Sequence, residues 1–245
     1  VENLKKRFKE LYPNIAKLEE LAEENDVPIF EPFQGNQIGD FIVLAPSKDR
    51  YLDLIVESEK TPEAIKAEQE SLLEATGRLF KKAIEFIRSA WGEEVFPEED
   101  TSPENNMSLV QYANLCGEKI LLTGDAGRAT LFEAIDYAPV VGLILPGIDR
   151  IQVPHHGSRH NVSTELLDEL LGPKLDTLQK NFTSIISAAK EDKNHPRKAV
   201  IRAFMHRGGK VITTEGSNIR TGHNAPPRER WTSVESVPYP EDQEE

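Results

Sequence analysis

The chain has 245 residues, 38% of them hydrophobic and 29% charged, which is enough to bury the core of one large domain or two small ones. A formal net charge of −13 argues against a surface that coats nucleic acid nonspecifically, since phosphate binding of that kind is driven by Lys and Arg. A phosphodiester held at a local, metal-containing site stays compatible with it.

One cysteine, Cys116, gives no intramolecular disulfide framework and fits a reducing compartment. No apolar run reaches the length of a membrane span. The opening VENLKKRFKE is charged and does not read as a secretory leader, so a cytoplasmic setting is expected. The first residue is Val1, so further residues upstream are expected.

In chain order, residues 2–25 read as helix. Leu4, Phe8, Leu11, Ile15, Leu18 and Leu21 recur at spacings of three and four, and Pro13 marks a restart. Val27–Phe30 and Phe41–Leu44 are β-prone and flank the Gly-containing turn QGNQIGD. Residues 60–90 read as a second long helix, with Pro62 after Thr61 at its start and Leu72, Leu79, Phe80, Ile84 and Ile87 on one face. The acidic, Pro-containing stretch 92–105 reads as loop. The charged helices 2–25 and 60–90 read as solvated outer faces, with a partner interface as the sharper alternative.

The second half alternates more tightly. SLVQYANL, the turn CGEK and ILLTG predict a hairpin around Gly117, with Cys116 a buried small side chain. Ala129–Tyr137 is a predicted helix, RIQVP a strand, Thr164–Leu171 a helix, SIISA a strand, Arg197–Met205 a helix and KVITT a last strand. Strands alternating with helices of this size predict an α/β fold. Trp231 reads as a packing anchor, and residues 236–245 as a mobile acidic tail.

The chemistry concentrates in ILLTGDAG and RIQVPHHGSRHNVS. Asp125 follows one strand, and His155 and His156 follow the next. Ligands of open α/β sheets collect at the carboxyl ends of strands. A carboxylate and two imidazoles there suit zinc or manganese. Taken alone, Asp125 before a helix reads first as an N-cap, and a His pair beside Gly157 as a plain turn. It is their occurrence at successive strand ends that points to a metal.

The ordered set NNMSLV (105–110), ILLTGDAG (120–127), VPHHGSRH (153–160), NHP (194–196) and GGKVITTEG (208–216) resembles the C-terminal part of the hydrolase domain of ComEC-like competence proteins, which have the metallo-β-lactamase fold. Residues 15–47 are similar to the region upstream in that family, more loosely. The resemblance implies a four-layered αββα sandwich spanning residues 1–235, with a helical insertion at about 60–90. It implies two divalent metal ions, zinc first and manganese second, bridged by Asp125, with His155 or His156 completing the second metal. Ser158 would cap the following turn, His160 would contact substrate or stand exposed, and His195 would sit at the rim, where a helix-start role before Pro196 is the competing reading.

The sequence departs from the family in one respect. Its HxHxDH motif is absent: the six histidines are at 155, 156, 160, 195, 206 and 223. The expectation is a chain that lacks the family's N-terminal half. The implied function is metal-dependent hydrolysis of a phosphodiester, nucleic acid among the candidates, with this piece alone weakly active. The alternative is a non-catalytic binding or regulatory module on the same fold, partnered by a protein. His206 and His223 are expected to have no metal role.

Overall fold

A computed structural model of the chain describes residues 6, 9, 10, 12–58, 94–241 and 243. The predicted helix at 60–90 lies outside these residues. Two compact units divide at 32/33.

The first unit, Val1–Pro32, carries α1 (Pro13–Glu24), with Pro13 in its first turn. There the proline's fixed φ and missing N–H cost nothing, so it starts this helix. Ile15 and Leu18 are 64% and 65% exposed. Val27–Phe30 forms no strand. β-prone side chains do not make a strand without a neighbouring strand to pair with.

The second unit, Phe33–Glu245, is an α/β fold around a seven-stranded mixed sheet in sequential order. The strands are β1 (Gln37–Ile38), β2 (Phe41–Ala45), β3 (Val110–Leu115), β4 (Glu118–Leu122), β5 (Arg150–Gln152), β6 (Phe182–Ile186) and β7 (Gly209–Thr213). β1 to β4 pair antiparallel and β4 to β7 pair parallel. The predicted β3–β4 hairpin is present. Its tip is Cys116 and Gly117, both at positive φ, 55° and 88°, as a two-residue hairpin turn demands. Cys116 is therefore exposed, against the expectation of burial.

Among the described residues the α-helices of this unit are α2 (Lys48–Glu57), α3 (Pro103–Asn106), α4 (Arg128–Tyr137), α5 (Thr164–Leu171) and α6 (Lys198–His206). The sequence reading missed α2, whose only buried residue is Leu54. In α5, the hydroxyl of Ser163 accepts from Leu166 N, and four leucines are buried. Sheet register sorts the two faces. Tyr112, Leu121, Ile151, Ser184 and Val211 align across five strands and are all at most 5% exposed. All but Ser184 join Leu131, Leu166, Leu167, Val200 and Phe204 of the helices in one core. One residue earlier on β4, the row Ile120, Arg150, Thr183 and Lys210 is half-buried. The C-terminal segment lies along this second face, with Arg150 donating to Gly222 O and Lys210 to Val234 O. No second sheet occurs among the described residues.

Val237 to Glu241, within the stretch expected as a mobile tail, are tied down. Val237 N donates to Val211 O at 2.8 Å, Val237 and Tyr239 pack on the core, and Arg202 donates to the carbonyls of Pro240 and Glu241. Trp231 is 39% exposed under the Arg228 guanidinium, 4.7 Å from its ring centroid, so it is no core anchor.

A charged cluster locks the helix layer to the loop before α3. The Arg207 side chain is fully buried and Glu94 is 2% exposed. Arg207 donates to both Glu94 oxygens at 2.8 and 3.1 Å, to Asp168, and to Ala203 O. Burial pushes the Glu94 carboxyl up, but His206, Arg207 and Lys174 outweigh it and hold it down at about 2. Arg207 and the Thr164 hydroxyl, at 2.9 Å, hydrogen-bond Glu94, whereas His206 Nδ1 stands 3.6 Å away and its Nε2 meets the Tyr239 hydroxyl at 2.9 Å.

Candidate functional site

Three parallel neighbours, β4, β5 and β6, end side by side, and their carboxyl ends converge at one edge. The loops after β4 and β5 are tied together. Thr123 Oγ1 donates to Gln152 O at 2.9 Å, Gly124 N to Gln152 Oε1 at 3.3 Å, and His155 N to Gly124 O at 3.0 Å.

Asp125 is not the N-cap of α4. That position is Gly127, and the first free N–H groups of the helix, on Arg128 and Ala129, go to the Asp100 carboxylate at 2.9 and 3.1 Å. The Asp100 loop is held in turn by Arg128, which donates to the carbonyls of Pro97, Glu98, Glu99 and His160. Asp125 is thereby left with a carboxylate that does no capping. It is 43% exposed, and its Oδ1 is 3.9 Å from His156 Nε2.

His155 and His156 both occupy the left-handed region, at φ 44° and 56°, and Gly157 follows at 85°. Non-glycine residues there cost of order 1–3 kcal/mol each and persist where the surroundings over-determine them. Gly157 is needed for contact as well: a Cβ at that position would lie 2.9 Å from Pro196 Cβ. Arg197 N donates to Gly157 O at 3.1 Å. This close approach seats the loop after β6 on the histidine turn and brings in His195. The His195 ring stacks on His155 with centroids 5.8 Å apart and an interplanar angle of 22°, and lies 6.4 Å from His156.

The partners of the three rings fix their tautomers. His156 Nδ1 bonds the carbonyl of Ser187, which only accepts, so Nδ1 carries the proton. His195 Nδ1 is 3.0 Å from Asp192 Oδ2, with the same result. The N–H of Asn194, and then the His195 ring, hold the Asp192 carboxyl below the usual carboxylate range. His155 Nδ1 is 3.1 Å from Asn161 Oδ1. The Asn161 amide is oriented by its Nδ2, which donates to Asp125 O and Ala126 O at 2.8 and 3.1 Å, so Oδ1 is an acceptor and His155 Nδ1 also carries its proton. Asn105 Nδ2 donates to the Thr101 hydroxyl at 2.6 Å and stands 3.3 Å from the same His155 Nδ1, farther than Asn161 Oδ1. An imidazole with its one proton on Nδ1 has a lone pair on Nε2.

Of the other predicted residues, Ser158 is buried and accepts from His160 N at 3.3 Å, which is the expected turn cap. His160 is exposed, with Nδ1 3.2 Å from Glu99 O, and lies outside the cluster of three rings. His223 pairs with Glu118 at 2.7 Å, remote in the fold at the start of β4. Sequence reasoning missed Asn105, Asn161, Asp192 and Asp100. The two asparagines lie inside or beside motifs already singled out, but an Asn or Asp that orients a distant ring has no spacing signature.

The donor chemistry suits a divalent ion, since imidazole nitrogen and carboxylate oxygen are zinc and manganese ligands. The spacing supplies only a start. Among the described residues no group of three or more His, Cys, Asp or Glu stands close enough to hold a metal ion, and Asp125 and His156 form a pair. No protein-family model, no curated protein and no solved structure matches the chain. No helix among the described residues is long and apolar enough to cross a membrane.

Proposed function

We propose that this edge of the sheet is part of the site of a metal-dependent hydrolase of phosphodiester bonds, of the metallo-β-lactamase type that the ordered motifs resemble. One observation carries the reading. Asp125 and the Nε2 atoms of His155, His156 and His195 are all acceptors, because every Nδ1 proton is given to an outer partner. That second-partner pattern is the one metal-binding histidines show. An acceptor-only cluster calls for a cation.

In this reading Asp125 and His156 hold metal, His155 joins them or faces the substrate, and Ser158 shapes the turn. His160, exposed beside the loop 97–99, contacts substrate at the rim. A bound divalent ion supplies Lewis-acid polarisation of a phosphoryl oxygen and lowers the pKa of water. The HxHxDH segment would come with the second sheet of the sandwich. The site would hold two ions once complete, and nucleic acid is among the candidate phosphodiesters.

The test is a longer protein that carries an upstream HxHxDH segment, assayed for metal content and for hydrolysis of bis(4-nitrophenyl) phosphate with zinc or manganese. The expected result is about two metals per chain and turnover that Asp125→Ala abolishes. Equal activity of variant and wild type would remove Asp125 from the mechanism. A second reading, a non-catalytic binding module on the same fold, is favoured by the exposed Ile15 and Leu18 of α1. A metal-free, inactive protein that binds a partner through that stripe would establish it.

A further inference from the structure

We infer that Arg159 and Arg197 bind a phosphate group of the substrate at this edge, through their guanidiniums and without a metal ion. This assignment rests on the reading of a phosphodiester substrate above, but not on the metal or on cleavage. Charge is reversed locally here. The chain as a whole carries 42 acidic side chains against 29 Lys and Arg. The two loops that meet at Gly157 have the opposite balance. Residues 153–163 and 187–198 hold Arg159, Lys190, Lys193, Arg197 and Lys198 against Glu191 and Asp192, and Asp192 is engaged by the His195 ring.

Other buried and half-buried arginines among the described residues are engaged. Arg50, Arg150 and Arg207 meet carboxylates, and Arg128 and Arg202 meet carbonyls. Arg159 and Arg197 are half-buried too, yet their guanidiniums have no hydrogen bond or ion pair to any residue of the chain. Their backbones are fixed to one point. Arg197 N donates to Gly157 O at 3.1 Å, and Arg197 O accepts from Val200 N and Ile201 N at 3.1 Å. Arg159 stands two residues beyond Gly157, in the short turn that Ser158 caps, so its Cα is at most about 7.6 Å from that of Gly157. Two guanidiniums with unspent donors are thus anchored around Gly157, next to the exposed His156. A guanidinium fork matches two phosphate oxygens at once, and no carboxylate competes for either one.

The experiment uses this 245-residue chain in EDTA, so that no divalent ion contributes. A fluorescein-labelled oligothymidylate of about ten nucleotides reports binding of a nucleic-acid backbone by anisotropy. Inorganic phosphate is titrated separately and followed by arginine Nε–H correlations. Wild type should bind the oligonucleotide, and both probes should move the Arg159 and Arg197 signals. Arg159→Gln and Arg197→Gln should each weaken oligonucleotide binding about tenfold. Each should also lower the slope of log affinity against log salt by about one. Arg230→Gln removes an exposed arginine outside the two loops that likewise has no side-chain partner, and should leave both values at wild type. Urea midpoints should match wild type in all three variants, because these guanidiniums bond nothing within the fold.

Response to phosphate but not to the oligonucleotide, lost in the two variants, sustains the site and makes its ligand a small phosphoester. The assignment is overturned if neither probe binds, or if Arg159→Gln and Arg197→Gln bind as wild type does. It is equally overturned if Arg230→Gln weakens binding as much as they do, or if their urea midpoints drop. Binding that the two variants lose, in a longer protein that hydrolyses nothing, would sink the hydrolase reading alone. Hydrolysis by the longer protein, with binding unchanged in both variants, would sink this assignment alone.

Discussion

Two ionisable clusters sit at different depths of this molecule. Around Arg207, Glu94 and Asp168 the central guanidinium is buried and bonded on several sides. Around Asp125 and His156 both side chains are more than 40% exposed, and the inward nitrogens lack partners. The first cluster has its charges neutralised by one another and acts as a clasp between α5, α6 and the loop at Glu94. The second keeps acceptors unspent. A satisfied cluster is written for stability and an unsatisfied one for a ligand, so the same substitution logic should give opposite outcomes in the two places.

The largest effect on stability should come from Arg207→Ala. It leaves Glu94 buried without its guanidinium partner, a change that costs about 3–5 kcal/mol when a buried pair is broken, readable as a lowered urea midpoint. The same clasp carries an acid signature. The folded Glu94 carboxyl is depressed to about 2 from an ordinary 4.5, so its contribution is present above about 4.5 and drains as pH falls toward about 2. Urea midpoints taken across that window should fall in wild type and fall less in Glu94→Gln.

Gly157→Ala should cost about 1–3 kcal/mol, from the clash with Pro196 and the strained φ. It should also shift the His195 ring signals, which links the backbone of the site to its third strand end. Asp100→Ala removes the acceptor for two helix N–H groups and should cost about 1–2 kcal/mol. The smallest effect belongs to Asp125→Ala, within about 0.5 kcal/mol by chemical unfolding, because its carboxylate caps nothing. A loss of 2 kcal/mol there would make Asp125 a structural residue and undo the contrast between the clusters.

The sequence made one half of this picture readable. α5 was legible because Ser163, four leucines and Gly172 write a start, a face and a stop. The β3–β4 hairpin was legible from its apolar runs, although the turn was read only as a location. The need for positive φ at both central residues is what puts Cys116 on the surface. α2 went unread because KDRYLDLIVE buries a single side chain, too little to mark a face. Val27–Phe30 misled because strand propensity says nothing about whether a neighbouring strand is there to pair with. At the site, Asp125, His155 and His156 stood out by residue type and by their places after strands. The capping role suggested for Asp125 belongs to Asp100, 25 residues earlier, and the partners that set the ring tautomers come from segments up to 31 residues away. Such relations are written in the packing and not in any local pattern.

The sequential strand order has a consequence for the time at which this site comes into being. The β3–β4 hairpin closes through a two-residue turn at Cys116 and Gly117, so its contacts are local and form early on refolding. Uniting Asp125 with His156 closes a loop of about 30 residues, and with His195 one of about 70, each carrying a larger closure entropy. The three-ring cluster is then assembled after the hairpin, once the parallel crossovers through α4 and α5 are in place. In a refolding experiment the imidazole signals should be among the last to reach their native positions, which would make them a clock for completion of the parallel half.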